Sequence, residues 1–407
     1  MPLKNIIFPI SSLFVAIAFL AIGYGMILTF VGVYLKEIHI SNTVIGIINA
    51  AFFLGAVLSS IFSQKIISSV GHIRSFAAFA SLMVITFLIH SLFFNEFLWA
   101  ILRFISGFSF YGLLIILESW LNEKSSEKDR GKILAIYTII FYLSTAIGQL
   151  FLNIDEHFKQ FIFAIGSVLV LFSVIAISLT KIKEPVLKPF EKYSFPKIFA
   201  VVPLATVTSF IGGFFVGGFF TMVPIYILMQ SESIELVSTF MLITLLGGLV
   251  SQWPIGILSD KYGRRKSIAT CSFLTAISSL LFIFFSNNDL YLYILGFSLG
   301  LTVFSIYPLG VARAHDVVDE NKDIVEISRT LLFTYGIGSF ISPLIIGVGL
   351  SYSPNFLFAS FFILGILLSL YSLSKERIPD EDMSTFVNIP VASGAELPEL
   401  APNNDEV

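Results

Sequence analysis

The chain has 407 residues, 56% of them hydrophobic and 13% charged, with a formal net charge of −3 and 44 phenylalanines. A water-soluble domain carries about 25% charged residues, and none could hide this much apolar surface, so lipid must be the solvent for most of the chain. The single cysteine, Cys271, excludes an intrachain disulfide and a thiolate metal cluster.

A membrane-spanning helix needs about 20 mostly apolar residues. The first apolar run goes from Ile6 to about Leu35. It is far longer than the apolar core of a signal peptide and no A-x-A site follows it, so it reads as a first span. Five more spans are expected near 43–63, 75–94, 97–121, 132–153 and 160–180. A basic stretch, "KIKEPVLKPFEKYSFPK" at 181–197, then interrupts the apolar pattern. Six further spans are expected near 198–228, 235–258, 267–286, 290–312, 328–349 and 355–373. Residues 374–407 are acidic and poor in apolar side chains, the composition of a disordered tail. Apolar residues do not alternate every second position, which argues against a membrane β-barrel.

With the N-terminus inside, 21 of the 24 Lys and Arg residues fall on the cytoplasmic side. Lys36 and Lys159 fall outside, and Arg103 lies within the membrane. The positive-inside rule then puts both termini in the cytoplasm.

The second half repeats the first. "LGAVLS" at 54–59 matches "LGGLVS" at 246–251, an offset of 192. "FYLSTAIGQ" at 141–149 matches "YGIGSFISP" at 335–343, an offset of 194. Gly71 and Gly263 again differ by 192. The expected fold is therefore an all-α membrane protein with twelve transmembrane helices in two pseudo-symmetric six-helix bundles. The bundles would cover residues 1–180 and 198–373, joined by a cytoplasmic linker at 181–197 and followed by the tail at 374–407.

The stretch "PIGILSDKYGRRKS" (254–267) concentrates charge between two of these spans. Gly256 allows close helix approach, Gly263 permits a tight turn, and Arg264, Arg265 and Lys266 face the cytoplasm. Asp260, at the membrane edge, needs a cation or a helix N-terminus. Arg313, at the cytoplasmic end of the tenth span, is the cation expected to supply it. A loop that only fixes orientation would need the positive charge but not the spacing G-x-x-x-D-x-x-G-R-R.

That spacing resembles the loop signature of the major facilitator superfamily. "RFISG" at 103–107 and "NEKSSEKDRGKILAIY" at 122–137 resemble its fourth-span motif and its loop into the fifth span. "ESWLN" (118–122) and "SQWPIG" (251–256) are similar to a poorly characterised bacterial subgroup. The resemblance covers about residues 6–373. It implies a secondary transporter working by alternating access, with the charged loop latching the cytoplasmic side of two rocking bundles. The first-half loop departs from the signature: Ser68 stands in place of Asp and Gln64 in place of Gly. Trp120 falls at the position equivalent to Arg313.

Arg103 is costly at mid-membrane, about 2.5–3.5 kcal/mol on insertion scales. It either satisfies neighbouring backbone carbonyls or contacts an anionic or coupling group. Glu118 lies on the same helix, about 22 Å of rise and roughly 60° of rotation away. It reads as a carboxylate in the last cytoplasmic turn, either hydrated or serving as the proton acceptor. His90 is a weaker candidate of the same kind. Neutral candidates for a central cavity are Asn49, Tyr111, Tyr142, Gln149, Gln252, Tyr307 and Thr334. The aromatic ones serve packing as readily as ligand contact.

No phosphate-binding G-x-x-x-x-G-K-[ST] loop, H-E-x-x-H or G-x-S-x-G motif occurs. No ATP hydrolysis, metal site, cofactor or enzymatic activity is expected, and the basic residues are too dispersed for nucleic acid. The expected protein is a monomer in a bacterial inner membrane that moves a small organic solute with proton coupling. Import and export fit equally. The rival reading is a receptor or scaffold that keeps the fold without transport.

Overall fold

The structure, a computed structural model, describes residues 10–124, 127–154, 159–180, 201–285, 288–317 and 324–376. Twelve apolar helices appear among them, eleven of them long enough to cross a membrane and the sixth shorter, at 17 residues. The first six are α1 (Ser11–Glu37), α2 (Asn42–Val70), α3 (His72–Leu92), α4 (Glu96–Lys124), α5 (Glu127–Leu150) and α6 (Ile162–Ser178). The second six are α7 (Pro203–Ser231), α8 (Ile234–Tyr262), α9 (Arg264–Phe285), α10 (Asp289–His315), α11 (Ile324–Tyr352) and α12 (Phe356–Leu373). Each expected span has its helix. Several helices run to 29 residues, about 43 Å, longer than the hydrocarbon core requires. The expected linker and all of the expected tail beyond Glu376 lie outside the described residues.

Backbone chemistry shows the repeat more clearly than side-chain identity does. Ser41 caps α2 by accepting from the Val44 amide, and Ser233, 192 residues later, caps α8 by accepting from the Leu236 amide. The α2–α3 and α8–α9 turns are made by Gly71 and Gly263, at φ of 90° and 87°. Only glycine takes such angles cheaply. Inside the halves the close crossings also correspond. A Cβ on Gly55 would strike the Phe104 carbonyl, and one on Gly247 would strike that of Phe297. Gly107 and Gly300 press in the same way on the backbones of Phe52 and Thr244. Thus α2 packs on α4 as α8 packs on α10, and α1 on α5 as α7 on α11. Small residues allow this approach where lipid supplies no hydrophobic drive between helices.

The outer helices show lipid-facing stripes at helical spacing. Examples are Leu82, Ile85 and Leu88 on α3, Val168, Leu171 and Ile175 on α6, and Ile363, Leu367 and Leu370 on α12. By contrast, the apolar stretch of α7 is wholly buried, and α1 and α10 are mostly so. The halves meet through α2 with α11, α5 with α8, and α1 with α7.

Candidate functional site: a closed vestibule between two halves

Where α1, α2, α4 and α5 face α7, α8, α10 and α11, a small cavity of about 10 Å³ remains. That is room for about one water, so the vestibule is shut. Its walls follow the repeat. Tyr24 faces in with Val216, Phe53 with Leu245, Tyr111 with Phe304, and Phe141 with Tyr335. Each pair is separated by 192–194 residues. Tyr142, Thr145 and Phe220 complete the lining. A larger cleft of about 250 Å³, lined by Tyr226, Gln230, Ser231 and Asp289 among others, lies within the second half alone.

Of the residues expected from sequence, Tyr111 and Tyr142 line the cavity. Tyr307 lies directly behind it, its ring 4.6 Å from that of Tyr335. The structure places the others elsewhere. The Gln252 amide donates to the Gly248 carbonyl of its own helix, and the Thr334 hydroxyl to the Thr330 carbonyl. Gln149 donates from Nε2 to the Gly25 carbonyl at 2.7 Å, tying α5 to α1. Asn49 holds Arg103. Gln252 and Thr334 find acceptors one turn back in their own helices, while Gln149 and Asn49 bridge to neighbouring helices. Sequence reasoning missed Tyr24, Phe53, Phe141, Phe220, Phe304 and Tyr335. Adding the repeat offset to Tyr111 would have found Phe304.

Arg103 is buried on α4. Its Nη2 donates to Asn49 Oδ1 at 3.2 Å and its guanidinium sits 4.6 Å from the Phe52 ring centroid. Among the described residues no carboxylate pairs with it, and its Nε has no hydrogen-bond partner. The charge is held by an amide and a ring face, not by the neighbouring carbonyls that one sequence reading allowed.

Glu118 is not in the last turn of its helix. α4 continues to Lys124, and the carboxylate is 1% exposed. Its Oε1 accepts from the Tyr137 hydroxyl at 2.7 Å, and Tyr111 and Tyr307 lie within its electrostatic reach. The hydrated reading of Glu118 is thereby overturned, because α4 runs on past it and Tyr137 covers it. His90 is packing: its Nδ1 lies 2.6 Å from the Thr86 carbonyl oxygen, and its ring lies between Trp99 and Phe163.

At the basic end, Asp260 pairs with Arg264 at 2.5 Å rather than with Arg313. Gly263 turns the chain so that the last turn of α8 and the first residue of α9 face each other. Arg264 also bonds the Ser259 hydroxyl and lies 3.4 Å from Asp316, with both side chains fully buried. Ser259 in turn donates to the Gly256 carbonyl. Arg313 instead donates to the Glu376 carbonyl at 3.0 Å, and Arg265 to the Lys375 carbonyl at 2.6 Å. Both thereby hold the chain as it leaves α12. Asp316 was not singled out from sequence, since it lies beyond the last turn of α10 and outside the signature. In the first half, His72 takes the place of Arg264 and contacts the Ser119 hydroxyl at 2.9 Å. Ser68 bonds only within its own helix, to the Lys65 carbonyl.

The opposite end is sealed by small neutral contacts between the halves. A Cβ on Gly46 of α2 would collide with the Pro343 carbonyl of α11. Asn42 Nδ2 donates to the Leu350 carbonyl at 3.1 Å, and Thr43 and Ser351 share a hydrogen bond. At the repeat-related seam, the Ser238 hydroxyl of α8 donates to the Gln149 carbonyl of α5 at 2.7 Å. Among the described residues, the ion pairs at both ends join residues of the same half.

Comparison with known proteins agrees with this architecture. The family model described as Major Facilitator Superfamily matches residues 13–253 and 229–387. An uncharacterized MFS-type transporter of Enterobacter sp. is 24% identical over 90% of this chain and 96% of its own length. One from Yersinia enterocolitica is 25% identical over 94% and 98%. Among solved structures, a mutant of the nucleoside transporter NupG is similar with a TM-score of 0.76 at 13% identity, covering 89% of this chain and 98% of that one. A D-xylose-proton symporter gives 0.71 at 13% identity, covering 95% and 99%. At such identities these structures speak to the fold alone.

Proposed function

The chain belongs to the Major Facilitator Superfamily, a membrane transporter and not an enzyme, and we propose that it carries a small organic solute by alternating access with a proton bound at Glu118. The halves 1–180 and 198–373 would rock about the central vestibule. The observation that carries this reading is how the ties are distributed. The polar contacts across the seams are single neutral hydrogen bonds, whereas the ion pairs among the described residues stay inside one half. Each half can therefore move as a body, and parting the seams breaks none of the ion pairs seen among the described residues.

Glu118 is the group that supports the coupling reading. It is buried, bonded to a phenol of its own half and within reach of the vestibule tyrosines. A carboxylate so placed can exchange a proton only when a water path opens to it. The protein would work as a monomer in a bacterial inner membrane, with both termini cytoplasmic and the sealed end outward.

The test is purified protein in proteoliposomes with an entrapped pH dye. A transported solute should move protons with wild type. Glu118→Gln should abolish that movement by at least tenfold while solute exchange across the membrane persists. Proton movement unchanged in Glu118→Gln would remove Glu118 from the coupling role.

A further inference from the structure

We propose that the vestibule selects a flat aromatic or heteroaromatic solute carrying at most one charge. The inference rests on the reading of this cavity as the solute site and adds the chemical class that fits it. Eight of the eleven side chains on its wall are aromatic. The two halves touch there ring to ring. Tyr142 of α5 meets Phe304 of α10 edge-on at 5.6 Å, and Tyr24 of α1 meets Phe220 of α7 at 6.1 Å. In the shut molecule these rings fill the space that a solute would occupy.

Opening the halves must separate those cross-half pairs and leave ring faces bare. A flat ring entering the gap restores edge and face contacts to both halves at once. A polyol cannot. It would need several convergent donors and acceptors, and the wall offers phenol hydroxyls and Thr145, whose hydroxyl is already given to the Phe141 carbonyl. A polyanion would need a cluster of cations, and no Lys or Arg lines the cavity. The Tyr142 hydroxyl is one polar group open to the solute. Tyr142 is 2% exposed and lines the cavity, and its buried hydroxyl has no hydrogen-bond partner among the described residues. A ring nitrogen, carbonyl or amine on the solute would satisfy it.

The test is binding to the purified full-length protein in detergent, by thermal shift and by equilibrium dialysis. The probes are indole, quinoline, ethidium, glucose and glucose 6-phosphate. At least one ring compound should raise the Tm, and both sugars should not. Phe304→Leu should weaken the ring compound at least tenfold. Phe304→Tyr, which keeps the ring, should hold it within threefold, and Tyr142→Phe should fall between. Trp253→Leu, on the outer face of α8 at 75% exposure, should change nothing. The inference is overturned if no ring compound binds, if a sugar binds in a Phe304-dependent way, or if Phe304→Leu and Phe304→Tyr bind alike. The fate of the transport reading is scored separately, by solute exchange in proteoliposomes. Exchange of a ringless solute would sink the inference and keep the transporter. Binding of a ring compound without exchange would keep the solute class and sink the transporter.

Discussion

At Gly71 and Gly263 the backbone makes the same turn, with φ of 90° and 87° and a new helix starting at the next residue. The side chains around the two turns differ. Around Gly263, Arg264 holds Asp260 and Asp316 in a buried ionic cluster. Around Gly71, His72 holds the Ser119 hydroxyl, and Ser68 turns back on its own helix. The turn is thus a requirement of the repeated fold. The charge is a separate device, retained in one half.

The comparison breaks most sharply at Arg264. Arg264→Ala breaks the buried pair with Asp316 and the pair with Asp260, which should cost about 3–5 kcal/mol, read as a fall in Tm of the detergent-solubilised protein. Next come the two glycines. Alanine at either position forces a strained backbone worth about 1–3 kcal/mol, and Gly71→Ala and Gly263→Ala should lower the Tm alike. An unequal pair would mean the two turns are not built to one plan. His72→Ala removes the hydrogen bond to Ser119 and the edge-on contact with Trp120, about 1–2 kcal/mol. A loss there as large as that of Arg264→Ala would show that the first half has a latch of its own. The smallest stability effect belongs to Asp260→Asn. Its side chain is 41% exposed, so the loss should stay below about 1 kcal/mol. Its signature is kinetic: a several-fold slower transport rate at an unchanged half-saturating solute concentration. Equal rates in wild type and mutant would take Asp260 out of the gating cycle.

Hydropathy and the 192-residue offset made the twelve helices and the two halves legible, because a helix in lipid must satisfy its own backbone and show an apolar stretch of fixed length. The site was legible only in part. Tyr111 and Tyr142 were recognised as candidates. Phe304 and Tyr335 were hidden among 44 phenylalanines and 14 tyrosines, since nothing in composition separates a ring that lines a cavity from one that packs. Asp260 was expected to find Arg313 and found Arg264. Charge counting locates available cations, but the Gly263 turn decides which of them an aspartate reaches.

By itself the sequence determined the solvent, the number of spans and their duplication, since each depends on local apolar length and on a numerical offset. Only the tertiary structure decided that Glu118 is sealed under Tyr137, that Arg103 rests on Asn49 and Phe52, and that rings from both halves close the centre. Those outcomes depend on how far each helix runs and which face it turns to its neighbour, and a pattern read along a single helix does not contain them.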